Sequence, residues 1–219
     1  NRSSGYIAMV FEDNRIDFRF KEVPWIMNIT QLLANLCDSK RTRIMTEYLE
    51  DLYLKDSLTG LCNRHGFGHR QQELLKSGTF FPYLHALVLD LDELKTINDR
   101  FGHQAGDFAL QTIGQAIRST AEENDICCRF GGDEFYCLLP RDSAKAPENF
   151  FVRVEQYLEH FNKLNDKPYN ISVSCGWATL DISGNSVPTN LRGLFQEADE
   201  NMYRIKKTKV KHVIKDIGK

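Results

Sequence analysis

The sequence of 219 residues predicts an α/β domain preceded by a long helix. Apolar runs and one alternating run are typical of strands, whereas apolar residues spaced three and four apart are typical of amphipathic helices. After the long helix, these segments follow the order helix, strand, helix, hairpin, helix, strand, helix. Such an alternation indicates a sheet covered by helices.

The composition narrows the class of protein. Apolar residues make up 42% of the chain, the net charge is −2 and the pI is near 6.3. This composition is typical of a globular protein with a sizeable core. It lacks the excess of basic residues expected of a protein that binds nucleic acid. No run approaches the ~18 apolar residues of a membrane span, and no signal-peptide pattern is visible. We therefore expect a cytoplasmic protein with no membrane segment.

The cysteines predict no disulfide framework and no metal site. None of the six has CxxC or metal-ligand spacing, and most lie in apolar runs (positions 37, 62, 127, 128, 137 and 175). We expect them to be reduced, buried thiols.

Residues 1–24 are predicted to lie outside the main domain. Two strand-like runs, 6–11 and 16–20, are joined by four polar residues, a pattern typical of a hairpin. Because an isolated hairpin is marginally stable in water, we interpret this segment as the tail of an upstream sensory domain.

Residues 25–55 predict one long helix. Ile26, Ile29, Leu33 and Leu36 recur at helical spacing, and a polar segment, 39–43, interrupts the stripe. We favour a dimerising stalk. The alternative is an amphipathic helix folded back on its own domain.

The remaining elements are predicted from the same patterns. A helix should begin near Gly66, directly after Asn63 and Arg64. The other predicted helices span 93–100, 105–120, 150–164 and 191–207, and the predicted strands span 84–91, 126–128, 135–139 and 170–179.

The hairpin formed by 126–128 and 135–139 carries the first candidate site. Gly131 and Gly132 should form its tight turn and let the backbone approach a ligand closely. Asp133 and Glu134 would then lie at the exposed tip, and carboxylates of this kind suit magnesium bridged to substrate phosphates. The alternative is an ordinary hairpin with a charged tip.

A second acidic cluster favours the metal site. Asp90 and Asp92 end the apolar run 84–91, and ligands collect at the carboxyl ends of strands in open α/β sheets. Asp92 is expected to cap the helix that follows. A cap does not explain why a distant hairpin also carries two acids.

Four ordered motifs resemble the GGDEF family of diguanylate cyclases over about residues 56–213. Residues 131–135 spell GGDEF, and residues 56–64, DSLTGLCNR, resemble the opening DxLTGLxNR. Residues 90–99, DLDELKTIND, followed by GHQAGD at 102–107, resemble DxDxFKxIND and GHxxGD. Residues 198–203, ADENMY, resemble the closing ADxAMY.

The resemblance implies a fold, an activity and partners. The fold would be a central, mostly antiparallel sheet wrapped by helices, as in nucleotide cyclases and polymerase palms, with residues 56–219 as the catalytic domain. Two GTP molecules would condense to cyclic di-GMP and two pyrophosphates. The reaction would need a homodimer and two Mg²⁺ or Mn²⁺ ions per active half-site.

The resemblance also assigns metal and phosphate ligands. Asp90 and Asp133 would hold metal with help from the Leu91 carbonyl, and Glu134 would bind the second metal or deprotonate the attacking hydroxyl. The phosphates would meet Lys95, Lys206 and the backbone N–H groups of Glu93 and Leu94 at a helix start.

Guanine recognition is implied for Asn98 and Asp107. An Asn offers a donor and an acceptor, whereas an ionised Asp accepts only, so the pair matches the donors and the acceptor of guanine. The alternative makes Asn98 a helix C-cap and Asp107 an N-cap.

Two departures from the family pattern affect these expectations. The usual Gly-Arg after the closing helix is Lys209-Val210 here, which favours a rival interpretation as a non-catalytic GTP-binding regulatory module. A second rival, a cyclase joining GTP with ATP, is disfavoured by Asp107. The RxxD sequence at which the product inhibits many members is replaced by Glu122 and Asp125, which predicts weak feedback.

Overall fold

The computed structural model describes residues 23–78, 81–183 and 190–208. The predicted hairpin at 1–24 lies outside these ranges except for its last two residues, and so do Lys209 and Val210. The chain divides into two compact units, residues 1–49 and 50–219. Among the described helices, none combines the length and apolar character needed to cross a bilayer.

Helix α1, Val23–Leu54, confirms the long helix predicted at 25–55. Its first half exposes large apolar side chains, including those of Leu32 (64% exposed) and Leu36 (59% exposed).

The second unit contains the remaining helices and the sheet. The helices are α2 (Arg64–Lys76), α3 (Leu94–Phe101), α4 (His103–Thr120), α5 (Ala146–Leu164) and α6 (Arg192–Thr208). The strands are β1 (Tyr83–Leu91), β2 (Ile126–Gly131), β3 (Glu134–Arg141) and β4 (Val173–Asp181). Every predicted element of this unit is present, with boundaries displaced by a few residues.

The four strands form one sheet in the order β2-β3-β1-β4, and each neighbouring pair is antiparallel. This order confirms the central antiparallel sheet wrapped by helices. Strand β1 lies between β3 and β4 and is buried along almost its whole length, which explains why its sequence is apolar on both faces.

Alternate side chains of β1 pack into two different hydrophobic cores, one on each face of the sheet. Leu87, Leu89 and Leu91 belong to the core that includes α4 and α5, whereas Ala86 and Val88 pack with α6. Because side chains alternate along a strand, Asp90 shares the α6 face with Ala86 and Val88. The end of β1 therefore presents its carboxylate beneath α6.

Helix α6 lies very close to β4. A Cβ added at Gly176 would lie 2.0 Å from the backbone nitrogen of Met202, a distance that no side chain tolerates. Glycine at this position lets the helix approach the strand. The approach brings the last turns of α6, including Lys206, over the end of β1.

The first residues of α2 and α5 test where the sequence predicted these two helices to begin. Asn63 caps α2 by accepting a hydrogen bond from the Gly66 N–H at 2.8 Å, as expected for a helix beginning near Gly66. Helix α5 begins earlier than predicted, because Ala146 and Pro147 form its first turn, where proline is tolerated.

The thiol prediction is confirmed with one exception. Five cysteines are free and buried in the second unit, at positions 62, 127, 128, 137 and 175. Cys37 is also free, but it is exposed on α1.

His85 is a buried, uncharged histidine in the middle of β1. Its Nε2–H donates to the Ser143 carbonyl oxygen at 3.0 Å, so Nδ1 accepts from the Thr179 hydroxyl at 2.9 Å. Burial lowers the pKa of His85 from 6.5 to about 4. Both ring nitrogens are satisfied in the neutral form, and the residue supports the fold.

Candidate active site

The turn between β2 and β3 differs by one residue from the prediction. Gly131 pairs with Glu134 in the strand register, so the turn consists of Gly132 and Asp133 rather than of two glycines. Gly132 has φ = 53°, a conformation that glycine adopts at little cost. Asp133 and Glu134 are half-buried beside this turn rather than fully exposed.

Arg129 braces the turn. Its Nε and Nη2 donate to the Gly132 carbonyl oxygen at 2.9 and 2.8 Å, and its Nη1 lies 3.4 Å from Asp56 Oδ2. Asp56 in turn accepts from the N–H and hydroxyl of Thr59, both at 2.8 Å. The segment 56–64 is thus tied to the hairpin tip. Sequence reasoning missed Arg129, although a charged residue near the end of an apolar strand was a usable signal.

Asp90 and Glu134 bring the two acidic motifs together. They are directly opposite in the register of β1 and β3, and directly opposed residues point to the same face of the sheet. The Leu91 N–H donates to the Asp133 carbonyl oxygen at 3.0 Å, which fastens the end of β1 to the turn. The predicted metal ligands are therefore neighbours in space.

The carboxylates of this site repel one another. Burial raises the pKa of Asp90, and the charges of Asp133 and Asp92 raise it further, whereas a hydrogen bond from Lys206 lowers it. Burial also raises the pKa of Glu134, with further contributions from Asp90, Asp133 and Asp199. A cation placed among these groups would relieve the repulsion.

Lys206 supplies a positive charge at this position. It reaches from the end of α6, and its Nζ donates a hydrogen bond to Asp90 Oδ1. Sequence reasoning placed Lys206 among the phosphate ligands, but it did not predict this ion pair.

The donor set fits a divalent metal in its chemistry. Carboxylate oxygens from Asp90, Asp133 and Glu134 and the Leu91 carbonyl are hard ligands of the kind that magnesium prefers. Among the described residues, however, no three acidic, histidine or cysteine side chains are arranged as a ready-made metal site. The ligands are close, but the carboxylate of Asp90 is engaged by Lys206.

Asp92 was expected to cap the next helix, and this prediction is wrong. Its carboxylate accepts hydrogen bonds from the Ser172 and Ser174 hydroxyls at 2.8 and 2.6 Å. These bonds lie at the start of β4, so Asp92 connects the end of β1 to the start of β4. The residue before α3 is instead Glu93.

The start of α3 presents backbone donors beside the carboxylates. Glu93 has φ = 57°, and Leu94 is the first helical residue. The first N–H groups of a helix have no intrahelical partner and attract anions. Lys95 follows and is exposed. The four predicted phosphate-binding groups, including Lys206, thus flank the end of β1.

Asn98 and Asp107 lie on adjacent, packed helices, α3 and α4. The cap interpretation is wrong for both, because Gly102 occupies the cap position between the two helices. Within the described part of the chain, Oδ1 of Asn98 is buried without a hydrogen-bond partner. This oxygen faces Gly106 of α4, where an added Cβ would lie only 2.0 Å from it, so glycine at this position lets the two helices pack closely.

The surface around Glu122 contains a cation that the sequence did not predict. Arg141 Nη2 lies 2.5 Å from Asp125 Oδ2 and 3.4 Å from Glu122 Oε1. The Glu122 N–H also donates to Asp125 Oδ2 at 2.8 Å. Asp125 is thus engaged within the protein.

An aromatic groove lies beside the hairpin, between α2 and α6, with a volume of about 760 Å³. The rings of Phe130 and Tyr136 stack at 4.1 Å, and Tyr136 stacks on Phe195 at 5.3 Å. None of the three candidate metal-binding carboxylates lines this groove. The positive charge of Lys206 and the backbone donors at the start of α3 lie at the carboxylates instead.

Comparison with known proteins adds a family assignment. A family model described as "Diguanylate cyclase, GGDEF domain" matches residues 53–212. Diguanylate cyclase DgcP of Pseudomonas aeruginosa is 35% identical over 159 residues, which is 70% of this chain and 22% of the relative. The chain thus spans about a fifth of the length of that protein.

Solved structures share the fold. The coiled coil and GGDEF domain of DgcB from Caulobacter crescentus, in complex with c-di-GMP, has a TM-score of 0.65 and 25% identity. The match covers 81% of this chain and 93% of the solved chain. The isolated GGDEF domain of TpbB (YfiN) from Pseudomonas aeruginosa has a TM-score of 0.58 and 31% identity, and the match covers 71% of this chain and 90% of that one.

Proposed function

Because the chain belongs to the GGDEF family of diguanylate cyclases, we propose that it condenses two GTP molecules into cyclic di-GMP. The 3′-hydroxyl of each GTP attacks the α-phosphorus of the other. Two P–O bonds form, two bonds to pyrophosphate break, and two hydroxyl protons are released. The single observation that carries the proposal is the register pairing of Asp90 with Glu134, which unites two distant acidic motifs.

Asp90, Asp133 and Glu134, with the Leu91 carbonyl, would hold magnesium or manganese, two ions per half-site. When bound, the ions supply charge stabilisation to the attacking and leaving oxygens. Glu134 completes the second metal site or accepts the proton of the attacking hydroxyl. Its position directly opposite Asp90 in the strand register is compatible with either role.

The phosphates are proposed to bind between α3 and α6. Lys206 and Lys95 supply positive charge, and the N–H groups of Glu93 and Leu94 supply directed donors. Gly131 and Gly132 are exposed and lack side chains, so the turn leaves room for the phosphate chain.

The guanine base is proposed to bind between α3 and α4. Asp107 is exposed at this position and accepts hydrogen bonds from the two guanine donors. Asn98, which has both a donor and an acceptor, pairs with the part of the base that presents both. A Cβ added at Gly106 would lie 2.0 Å from Oδ1 of Asn98, so Asn98 packs closely against the helix that carries Asp107. This close packing supports a shared role for the two residues.

Catalysis is proposed to need a homodimer. Each domain would hold one GTP, and the two reacting ends must face each other, so the main task is to bring two domains together in register. Helix α1 is proposed as the stalk that does so, because it exposes a row of large apolar side chains. We further propose a cytoplasmic location and an upstream sensory domain that acts through this stalk.

The proposal is tested by incubating the purified protein with GTP and Mg²⁺ and separating the products by chromatography. The expected products are cyclic di-GMP and pyrophosphate in a ratio of one to two. Binding of GTP without turnover would instead support the alternative, a regulatory GGDEF module. The sequence feature that favours this alternative is Lys209-Val210, which replaces the usual Gly-Arg.

A further inference from the structure

Lys206 forms an ion pair with Asp90, the carboxylate that is proposed to bind the metal. Its ammonium group donates to Asp90 Oδ1, and the side chains of Lys206 and Asp90 are 28% and 9% exposed. The pair is therefore partly shielded from water, where an ion pair is stronger than on an open surface. In the same region, no three metal-ligating side chains of the described residues form a ready-made site.

We propose that Lys206 excludes divalent metal from the nucleotide-free site by holding Asp90, and that nucleotide phosphates draw Lys206 away and open the site. This inference deepens the proposed function and rests on it for the identity of the site. Lys206 thereby acts as a positioning residue that makes metal binding depend on nucleotide.

The exclusion has two physical causes. The ammonium group takes up a lone pair of Asp90 that a metal would coordinate, and its charge repels a second cation at the same carboxylate. Glu134 lies directly opposite Asp90 in the strand register, and Asp133 is bonded to the end of β1 through the Leu91 N–H, so further negative charge lies close to Asp90. Without Lys206, this cluster would attract divalent cations.

The chemistry of lysine also explains how Lys206 can leave Asp90 when nucleotide binds. Lys206 lies two residues before the end of α6, and its ammonium group sits on a flexible four-carbon stem. A triphosphate carries more negative charge than one carboxylate, so it is the stronger partner for this group. Moving to the phosphate would leave Asp90 free as a ligand.

Metal and nucleotide are then expected to bind cooperatively. If nucleotide raises the affinity for metal by a given factor, metal must raise the affinity for nucleotide by the same factor. The resting protein would not accumulate divalent cations, and the complete site would form when the substrate is present.

The test measures Mn²⁺ binding to nucleotide-free protein by electron paramagnetic resonance. Lys206→Met should bind Mn²⁺ about tenfold more tightly than the wild type, a factor that corresponds to ~1.4 kcal/mol. Lys207→Met is the matched control, because Lys207 is the next residue and its Nζ lies 4.2 Å above the Tyr203 ring. The control should bind Mn²⁺ as the wild type does.

Two further variants keep the test decisive. Lys206→Gln removes the charge while keeping a donor, and it replaces Lys206→Met if that variant does not fold. Adding Asp90→Asn to the Lys206 variant should abolish the gain in affinity. Unchanged Mn²⁺ affinity in both Lys206 variants, or a gain that survives Asp90→Asn, would overturn the proposal.

Failure of this inference is distinguishable from failure of the proposed function. Wild-type protein that forms cyclic di-GMP while its Lys206 variants gain no Mn²⁺ affinity would disprove only the exclusion by Lys206. Lys206 variants that gain affinity in a protein without cyclase activity would disprove only the proposed reaction.

Discussion

Asp90 lies directly opposite Glu134 across β1 and β3, and Lys206 from α6 donates a hydrogen bond to Asp90. The pairing joins the end of a buried strand to the tip of a hairpin. Burial and neighbouring negative charges raise the pKa of both Asp90 and Glu134, so a cation bound between them would be stabilised.

Asp107→Ser should weaken GTP binding and relax discrimination against ATP. A guanine donor left unpaired in the site costs ~1–3 kcal/mol. Asp99→Ser is the matched control, because Asp99 is an exposed Asp on the neighbouring helix α3. Affinities for GTP and ATP are measured by calorimetry. Equal nucleotide affinities in Asp107→Ser and the wild type would exclude Asp107 from base recognition.

A version of the protein beginning at Leu54 should lose dimerisation and activity at low protein concentration. Helix α1 raises the effective concentration of one domain around the other if it associates with a second copy. Mass is measured by light scattering, and specific activity is measured over a dilution series. If the shortened protein equals the full chain in both, the stalk interpretation is wrong.

Cyclic di-GMP should inhibit the protein only by weak competition with GTP. Inhibition at an RxxD site needs an arginine that grips phosphate in a bidentate manner, and Glu122 stands at that position. Asp125 is present at its position in the pattern, paired with Arg141 at 2.5 Å, so the missing element is the arginine. Initial rates at several GTP concentrations decide the matter. Tight inhibition that persists at saturating GTP would show that a second product site exists.

Glu122→Arg is the converse variant. It restores the arginine of the RxxD pattern beside Asp125 and should introduce inhibition that GTP does not relieve. Glu123→Arg changes the charge equally at the neighbouring exposed position and should not. The two variants are compared in the same initial-rate series. Equal inhibition constants would mean that net charge, and not the position of the arginine, governs product binding.

His85 should make the fold less stable as the pH falls. Its folded-state pKa of about 4 lies below the usual 6.5, so the unfolded chain takes up the proton first. The contribution to stability is fully present above about pH 6.5 and is lost as the pH falls towards 4, by about 2 kcal/mol between pH 7 and pH 5.

Urea unfolding of the wild type and His85→Gln at both pH values isolates this effect. The raised pKa values of Asp90, Glu134 and Asp125 act in the opposite direction, but they are common to both proteins. The difference in unfolding free energy between the two proteins should therefore shrink at pH 5. A difference that is constant across this range would contradict the assignment of His85.

Local patterns in the sequence predicted most of the fold. The apolar run of β1, the alternation in β4 and the apolar stripes of α4 and α6 follow directly from burial on one or both faces. The register between strands was harder to predict from the sequence. The turn contains Gly132 and Asp133 instead of two glycines, because a bulge between Arg129 and Gly131 shifts the pairing.

Side-chain partners between distant residues were the least predictable part of the site. The sequence singled out Asp90, Asp133 and Glu134, and the fold brings their motifs together. It did not reveal that Asp92 would bind Ser172 and Ser174, since that contact depends on how β4 lies beside β1. The pairing of Lys206 with Asp90 likewise depends on the close approach of α6 to Gly176.

The most direct test of the central claim is the GTP turnover of Asp133→Asn at saturating Mg²⁺. The account predicts a folded protein that loses about a hundredfold to a thousandfold in turnover, the scale of removing one preorganised electrostatic partner. Asp142→Asn is the control, because Asp142 is exposed directly after β3 and away from the hairpin turn. Cyclic di-GMP formed by Asp133→Asn at the wild-type rate would contradict the claim that these carboxylates form the active site.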